Sequence, residues 1–153
     1  MTPLDSFDLA ILRLLQQNNL MTQREIGQSV NLSAPSVQRR IRRMETDGVI
    51  AANVARITPE AVGLTLTIFV EVELVSETPD DIDAAKTRFR DAPEVQQCYY
   101  VTGDTDFILV LVVESMATYE EFTRRMFFQS GNVRKFRTFV SMDAVKSGVA
   151  LDI

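Results

Sequence analysis

Histidine is absent from this chain of 153 residues, and cysteine occurs once, as Cys98. The lack of histidine removes the commonest general base and the commonest metal ligand of proteins. A single cysteine can form neither an intrachain disulfide nor a cluster of thiolate ligands, which fits a reducing cytoplasm. We therefore expect no metal site and no cofactor, and an enzyme becomes a minor alternative that would depend on Asp, Glu, Lys or Tyr.

Long apolar runs are also missing. The longest extends from Phe107 to Val113, far below the roughly 20 residues that span a membrane. Near its start the chain carries Asp5 and Asp8, where a signal peptide would carry basic residues. The sequence thus predicts a cytoplasmic protein without a membrane segment.

The net charge of −5 is distributed unevenly. Residues 1–60 hold seven arginines and six acidic residues, whereas the remainder holds nine basic and fifteen acidic residues. Four of those seven arginines lie between Arg39 and Arg43. Because nucleic-acid binding depends on where positive charge is concentrated, the total charge does not argue against a DNA-binding protein.

Local signals predict three helices in residues 1–50. Asp5, Thr22 and Ser33 are residues that cap helix N-termini. The segment from Thr22 to Glu25 has the spacing of a capping box. Asn31 tolerates the left-handed backbone of a tight turn, and Gly48 is suited to ending the third helix. Three short helices with a tight turn between the last two predict a helix-turn-helix.

The third predicted helix separates an apolar stripe from a cationic face. At about 3.6 residues per turn, Val37, Ile41 and Met44 align on one side. Arginine can read guanine edges or neutralise phosphates, glutamine can read adenine, and helix N-termini attract phosphates. The predicted DNA-binding residues are Thr22, Ser33, Ser36, Gln38, Arg39, Arg42 and Arg43.

Two alternatives accompany this interpretation. The cationic face could be an ordinary solvated helix surface. Arg40 lies beside the apolar stripe, and it is open at this point whether its partner is a carboxylate of the protein or a DNA phosphate.

From Leu64 onward the apolar residues alternate with a period of two, which is typical of strands. Strands are predicted at 64–74, 95–102, 107–113 and 133–145, and helices at 79–92 and 118–128. The order β-α-β-β-α-β is that of a ferredoxin-like sandwich. The predicted fold class is therefore α+β, with a winged-type helix-turn-helix at 1–50, a linker at 51–63 and a ferredoxin-like domain at 64–153.

The strand from Phe107 to Val113 is apolar on both faces. Two helices can cover only one face of a four-stranded sheet, so the other face would leave a large apolar patch in water. A second copy of the same sheet is the simplest cover, and the pattern predicts a homodimer.

Two groups of residues, in the right order along the chain, resemble the Lrp/AsnC family, the leucine-responsive or feast/famine transcription regulators. The first group is Asp5-x-x-Asp8-x-x-Ile11-Leu12, Glu25-Ile26, Leu32-Ser33, Val37, Arg40-Ile41 and Gly48-Val49-Ile50. The second is the turn Gly103-Asp104-Thr105-Asp106-Phe107. The family usually has Ala at position 27 and Gly at position 31; Gly27 and Asn31 are expected to be sterically mild departures.

The resemblance implies pairing through the C-terminal domain, assembly of dimers into octamers, and amino acids bound in clefts between dimers. The ligand-binding positions it implies are Gly103, Asp104, Thr105, Asp106, Met116, Phe139, Val140 and Ser141. None of these is Lys or Arg, so the expected effector is an apolar amino acid, with leucine or methionine favoured. A plain hairpin turn at residues 103–106 is the alternative on the residues alone.

Two other functions are kept open. One is an architectural DNA-binding oligomer without an effector. The other is an enzyme like the tetrapyrrole decarboxylases that share the two-domain build, although their chemistry would be expected to use histidine.

Overall fold

A computed structural model describes residues 3–153, which form two compact units. One unit contains the chain up to Arg56 together with Lys146–Ile153, and the other contains Ile57–Val145. This division differs from the predicted ferredoxin-like domain of 64–153, because the last eight residues pack with the helices of the first unit. The side-chain amide of Gln16 donates to the Leu151 carbonyl at 3.0 Å and accepts from the Leu151 N–H at 2.6 Å.

The first unit contains three helices, α1 (Ser6–Gln17), α2 (Gln23–Val30) and α3 (Ala34–Thr46). The capping boxes at the starts of α1 and α2 both form. Asn31 adopts the expected left-handed backbone, with φ of 57°. Ser33 does occupy the N-cap position of α3, but its side chain makes no capping hydrogen bond. The fully buried apolar residues that join the helices are Ile11, Ile26, Val37 and Met44.

The second unit is an antiparallel sheet with the strand order β2-β3-β1-β4. Its elements are β1 (Leu66–Leu74), α4 (Pro79–Asp91), β2 (Val95–Tyr100), β3 (Phe107–Val113), α5 (Met116–Thr123) and β4 (Val133–Val140). This is the predicted ferredoxin-like arrangement, and the α+β fold class is confirmed. Within residues 3–153, no helix combines the length and the apolar character needed to cross a membrane.

Three predicted elements are one or two residues too long: β1 begins at Leu66 and not at 64, α4 ends at Asp91 and not at 92, and β2 ends at Tyr100 and not at 102. Two further elements differ more. The predicted helix 118–128 begins earlier, at Met116, and its last part is a π-helical turn, Arg124–Phe128. The predicted strand 133–145 ends at Val140, whose pairing partner is Ile68 near the start of β1. The ladder stops there because β1 offers almost no further residues to pair with.

The helix-covered side of the sheet holds the core of this unit. Along β1, the side chains of Ile68, Val70, Val72 and Leu74 alternate with more exposed neighbours and are fully buried. They pack in one cluster with Phe89 of α4 and with aromatic residues around α5. The strand periodicity read from the sequence therefore identifies the buried face.

The other side of the sheet, called the open face below, is not covered by an element of its own unit. Phe69 is paired there with Val110 on β3 and with Phe139 on β4. The next row contains Glu71 and Arg137, whose charged groups lie 2.6 Å apart. Phe69 is 42% exposed and Phe139 51% exposed, so the open face presents an apolar row beside an ion pair.

Candidate functional site

The cationic face of α3 lies opposite the core residues, as predicted. Gln38, Arg39 and Arg42 are exposed, while Val37 and Met44 are buried. Within residues 3–153, no ion pair or side-chain hydrogen bond engages the guanidinium groups of Arg39 and Arg42. These two cations are therefore available to an anionic partner.

The other two arginines of α3 bind carboxylates of α1. Nη1 of Arg40 lies 2.8 Å from Oδ1 of Asp8 and 2.8 Å from Oδ2 of Asp5. Nη2 of Arg43 lies 2.5 Å from Oδ2 of Asp8. Arg40 is thus an ion-pair partner inside the domain, which is one of the two alternatives left open by the sequence. Arg43 was expected to point away from the protein, but one of its nitrogens is held by Asp8 and its side chain is 33% exposed.

The carboxylate of Asp8 is the centre of this group, and its side chain is only 1% exposed. Burial by itself would raise the pKa of Asp8, but the Asp5 N–H and the guanidinium groups of Arg40 and Arg43 outweigh burial and lower it. The pKa of Asp5 is also lowered, first by the Asp8 N–H and then by Arg40. Both carboxylates are therefore held in the charged form that binds α3.

The two helix N-termini expected to meet phosphates differ in their local charge. At α2, the N–H and the hydroxyl of Thr22 donate to the Glu25 carboxylate at 2.7 and 2.8 Å. That carboxylate occupies the position where an anion would bind. At α3, Ser33 leaves the first-turn amides without a side-chain cap. The geometry thus favours the α3 N-terminus over the α2 N-terminus for a phosphate.

Gly27 is more constrained than the sequence indicated. A Cβ at this position would lie well inside van der Waals contact with the Leu32 carbonyl oxygen. The left-handed backbone of Asn31 turns the chain back toward α2, and the Leu32 N–H donates to the Gly27 carbonyl at 2.9 Å. Glycine is therefore more than a mild departure from the alanine that the family usually has here. Alanine would not fit in this turn unless the backbone shifted.

The turn at residues 103–106 has two different acidic residues. The Asp106 carboxylate accepts a hydrogen bond from the Leu74 N–H at 2.7 Å, and the Thr105 hydroxyl donates to the Val72 carbonyl at 2.8 Å. Asp104 is exposed, with no hydrogen bond or ion pair to the rest of residues 3–153. Gly103 has φ of 123°, and open space lies where its Cβ would be. Asp106 thus anchors the turn, and Asp104 faces outward.

The predicted ligand residues do not meet within one chain. Phe107, directly after the turn, pairs with Val72 near one end of β1, whereas Phe139 pairs with Phe69 and Val140 with Ile68 toward the other end. At about 3.3 Å per residue these positions are roughly 10–15 Å apart along the sheet. Met116 and Ser141 also follow strand ends on the far side from the turn.

Residues 67–151 match the family model described as the Lrp/AsnC ligand binding domain, and residues 4–51 match a winged helix-turn-helix DNA-binding model. The chain belongs to the Lrp/AsnC family. It is a transcription regulator that joins a DNA-binding helix-turn-helix to a ligand-binding domain, as the sequence predicted. This membership removes the decarboxylase alternative, because the proteins of this family are regulators and not enzymes.

Individual relatives agree over nearly the full length of this Lrp/AsnC protein. An uncharacterized HTH-type transcriptional regulator of Sinorhizobium fredii is 43% identical over 98% of this chain and 89% of its own. The leucine-responsive regulatory protein of Rhizobium meliloti is 32% identical over 98% and 96%. Among solved structures, an AsnC family regulator from Agrobacterium tumefaciens has a TM-score of 0.92 and 31% identity over 97% of both chains. A Neisseria meningitidis regulator in complex with L-methionine has a TM-score of 0.91 and 27% identity over 98% and 97%.

Proposed function

We propose that this Lrp/AsnC regulator changes its DNA binding in response to an apolar amino acid, with leucine or methionine as the effector. The observation that carries the proposal is the turn at residues 103–106, which presents an exposed carboxylate beside an accessible glycine backbone. The Neisseria meningitidis relative binds methionine, and the Rhizobium meliloti relative is named for its response to leucine. Both support an apolar amino acid here.

The turn supplies groups for both ends of an amino acid. Backbone amides around Gly103 can approach an effector carboxylate closely, because glycine carries no side chain. The Asp104 carboxylate can pair with the effector ammonium in a charge-assisted hydrogen bond. Asp106 and Thr105 then keep the turn in place through their bonds to the end of β1.

The apolar part of the proposed site comes from another copy of the chain. Met116 and Val140 are exposed, and they lie toward the opposite end of the sheet from the turn. Phe139 lies at the same end but on the open face, beside Phe69, so it belongs to the pocket only at the edge where the open face ends. A pocket that uses both groups therefore needs two protomers. Ser141 completes the far group as its polar member, although its N–H is bonded to the Thr67 carbonyl at 2.9 Å.

We further propose that the open face is the dimer interface and that dimers assemble into octamers. In a single chain, the paired residues Phe69 and Phe139 of the open face are exposed to water. Packing against the open face of a second chain would remove this apolar row from solvent. Octamers are expected from the family resemblance.

The proposed DNA interface is the exposed face of α3. We assign Arg39 and Gln38 to contacts with base edges and Arg42 to a phosphate, because all three side chains are exposed on the same helix. Arg43 retains donors beyond the one bound to Asp8, so a phosphate contact from it is compatible with the ion pair. Ser36 and the N-terminus of α3 at Ser33 complete this surface, and Thr22 is its weakest member because of Glu25.

The test is titration calorimetry of the full chain with each of the twenty amino acids, together with DNA-binding anisotropy in the presence and absence of those that bind. Binding of leucine or methionine that shifts DNA affinity supports the proposal. Asp104→Asn should weaken effector binding strongly, whereas the control Asp80→Asn, at an exposed acid of α4, should not. Binding restricted to acidic or basic amino acids contradicts the apolar pocket, and no binding favours the architectural alternative.

A further inference from the structure

A cavity of about 380 Å³ lies between α4 and the edge strand β2, on the helix-covered side of the sheet. Its size falls within the range of about 300–1,000 Å³ typical of small-molecule sites. The residues around it are Lys86, Arg90, Val95, Gln96, Gln97, Cys98, Tyr100 and Phe107. None of them belongs to the proposed DNA interface or to the proposed effector site.

The wall formed by α4 is positively charged. Lys86 and Arg90 are one turn apart, a spacing at which like charges repel. Lys86 has an ion pair with Asp83 at 3.2 Å, but Asp83 is 75% exposed and its charge is screened by water. No ion pair engages Arg90 anywhere in residues 3–153. The cavity therefore carries positive charge that the protein balances only in part.

The opposite wall contains two aromatic rings, together with apolar residues and the amide side chains of Gln96 and Gln97. The ring of Tyr100 lies 5.2 Å from the ring of Phe107, and the Lys86 ammonium lies 5.0 Å from the Tyr100 ring. Cys98 packs against the core of the unit. Burial raises the pKa of the Cys98 thiol, and the charge of Arg90 partly opposes that rise.

We propose that this cavity binds a small organic anion, with a carboxylate or phosphate group on Lys86 and Arg90 and a flat apolar body against Tyr100. Two cations on one wall and an aromatic ring on the other recognise these two parts of the ligand separately. Such a site would give the regulator a second input beside its amino-acid effector.

Cys98 provides the measurement, because it is the sole cysteine of the chain and lines the cavity. Its thiol loses a proton to solvent, and the thiolate displaces one half of an aromatic disulfide, forming a mixed disulfide and releasing the other half as a thiolate. The rate is measured at low salt with an anionic reagent, 5,5′-dithiobis(2-nitrobenzoate), and with a neutral one, 2,2′-dithiodipyridine. The ratio of the two rates cancels changes in the reactivity of the thiol itself.

The ratio should fall at least about fivefold in the double variant Lys86→Gln/Arg90→Gln, since the cations attract the anionic reagent. The single variants should each give part of this fall, and the matched control Arg88→Gln on the same helix should leave the ratio unchanged. An unchanged ratio in the double variant overturns the proposal. So does a folded protein whose Cys98 reacts with neither reagent.

Protection of Cys98 from the neutral reagent then identifies the ligand chemistry. Benzoate, phenyl phosphate, benzamide and inorganic phosphate are compared as competitors. Protection by benzoate or phenyl phosphate supports the proposal, and the stronger of the two distinguishes a carboxylate from a phosphate ester. Equal protection by uncharged benzamide contradicts a role for the cations, and equal protection by inorganic phosphate contradicts a role for the aromatic wall.

Discussion

The carboxylate of Asp8, in the first turn of α1, accepts a hydrogen bond of 2.8 Å from the guanidinium of Arg40, in the middle of α3. The same carboxylate also binds Arg43. One buried acid thus joins the first helix to the helix proposed to read DNA. Asp8 thereby holds α3 against α1, while Arg39 and Arg42, which it does not bind, remain exposed.

Asp8→Ala should destabilise the helix-turn-helix, since it leaves the cations of Arg40 and Arg43 half-buried without their shared partner. Breaking a buried ion pair costs about 3–5 kcal/mol, and the low end applies here because both arginines retain some contact with water. Specific DNA affinity should fall with it. Urea unfolding and DNA anisotropy are the measurements, with the exposed Glu121→Ala as control. A variant as stable as the control would show that the ion group does not hold α3.

Acid should weaken the same contact. The pKa values of Asp5 and Asp8 are lowered in the folded protein from the ordinary value of 3.8. Their contribution to the free energy of unfolding is therefore complete above the pKa of the unfolded chain. It is lost as the pH falls through the lowered pKa of the folded protein, because the unfolded chain binds more protons in that range. Denaturant midpoints at about pH 6 and about pH 3 should differ less in Asp8→Asn than in the parent chain. Equal differences in both would contradict the assignment.

Gly27→Ala should destabilise the turn between α2 and α3. The added methyl group meets the Leu32 carbonyl oxygen, a backbone atom that cannot move aside without shifting the turn. A cost of about 1–3 kcal/mol is expected from such overpacking, against the small gain that alanine normally brings to a helix. Thermal unfolding is the measurement. Gln28→Ala, at an exposed position of α2, should be nearly neutral; a stabilised Gly27→Ala chain would show that the turn relaxes freely.

Arg39→Ala and Arg43→Ala should affect DNA binding differently. Loss of a base contact at Arg39 should weaken specific binding by roughly 1–3 kcal/mol and leave binding to scrambled duplex largely intact. Arg43→Ala should weaken both duplexes more evenly and should also lower the stability of the domain, because Arg43 binds Asp8. Anisotropy on both duplexes at several salt concentrations separates the two effects. Unaltered affinity in both variants would argue for a solvated helix face.

Phe69→Asp should dissociate the proposed dimer. Phe69 is already 42% exposed in the single chain, so the charge costs the monomer little, but it would be buried when two open faces meet. Light scattering should report a smaller particle for this variant and an unchanged one for Leu20→Asp, at an exposed apolar residue of the first unit. An unaltered mass for Phe69→Asp would place the interface elsewhere.

Much of the fold could be predicted because its signals are local. The capping boxes at Asp5 and Thr22 act across three residues, and the left-handed turn at Asn31 is a property of one residue. The predicted bounds of the strand Phe107–Val113 are confirmed, because this continuous apolar run is rich in β-branched residues and has polar residues on both sides. The helical spacing of Val37 and Met44 likewise identified the buried side of α3 without knowledge of what covers it.

The candidate sites depend on contacts between residues far apart in sequence, and only the tertiary structure decided which partner each of these side chains binds. The helical spacing that directed Arg43 away from the core could not show Asp8, 35 positions earlier, binding its guanidinium. Asp104 and Asp106 look equivalent in the sequence, and the Leu74 N–H, 32 positions before Asp106, distinguishes them. Periodicity records which side of an element is apolar, whereas hydrogen bonds and ion pairs between elements are set by where the packed backbone places each partner.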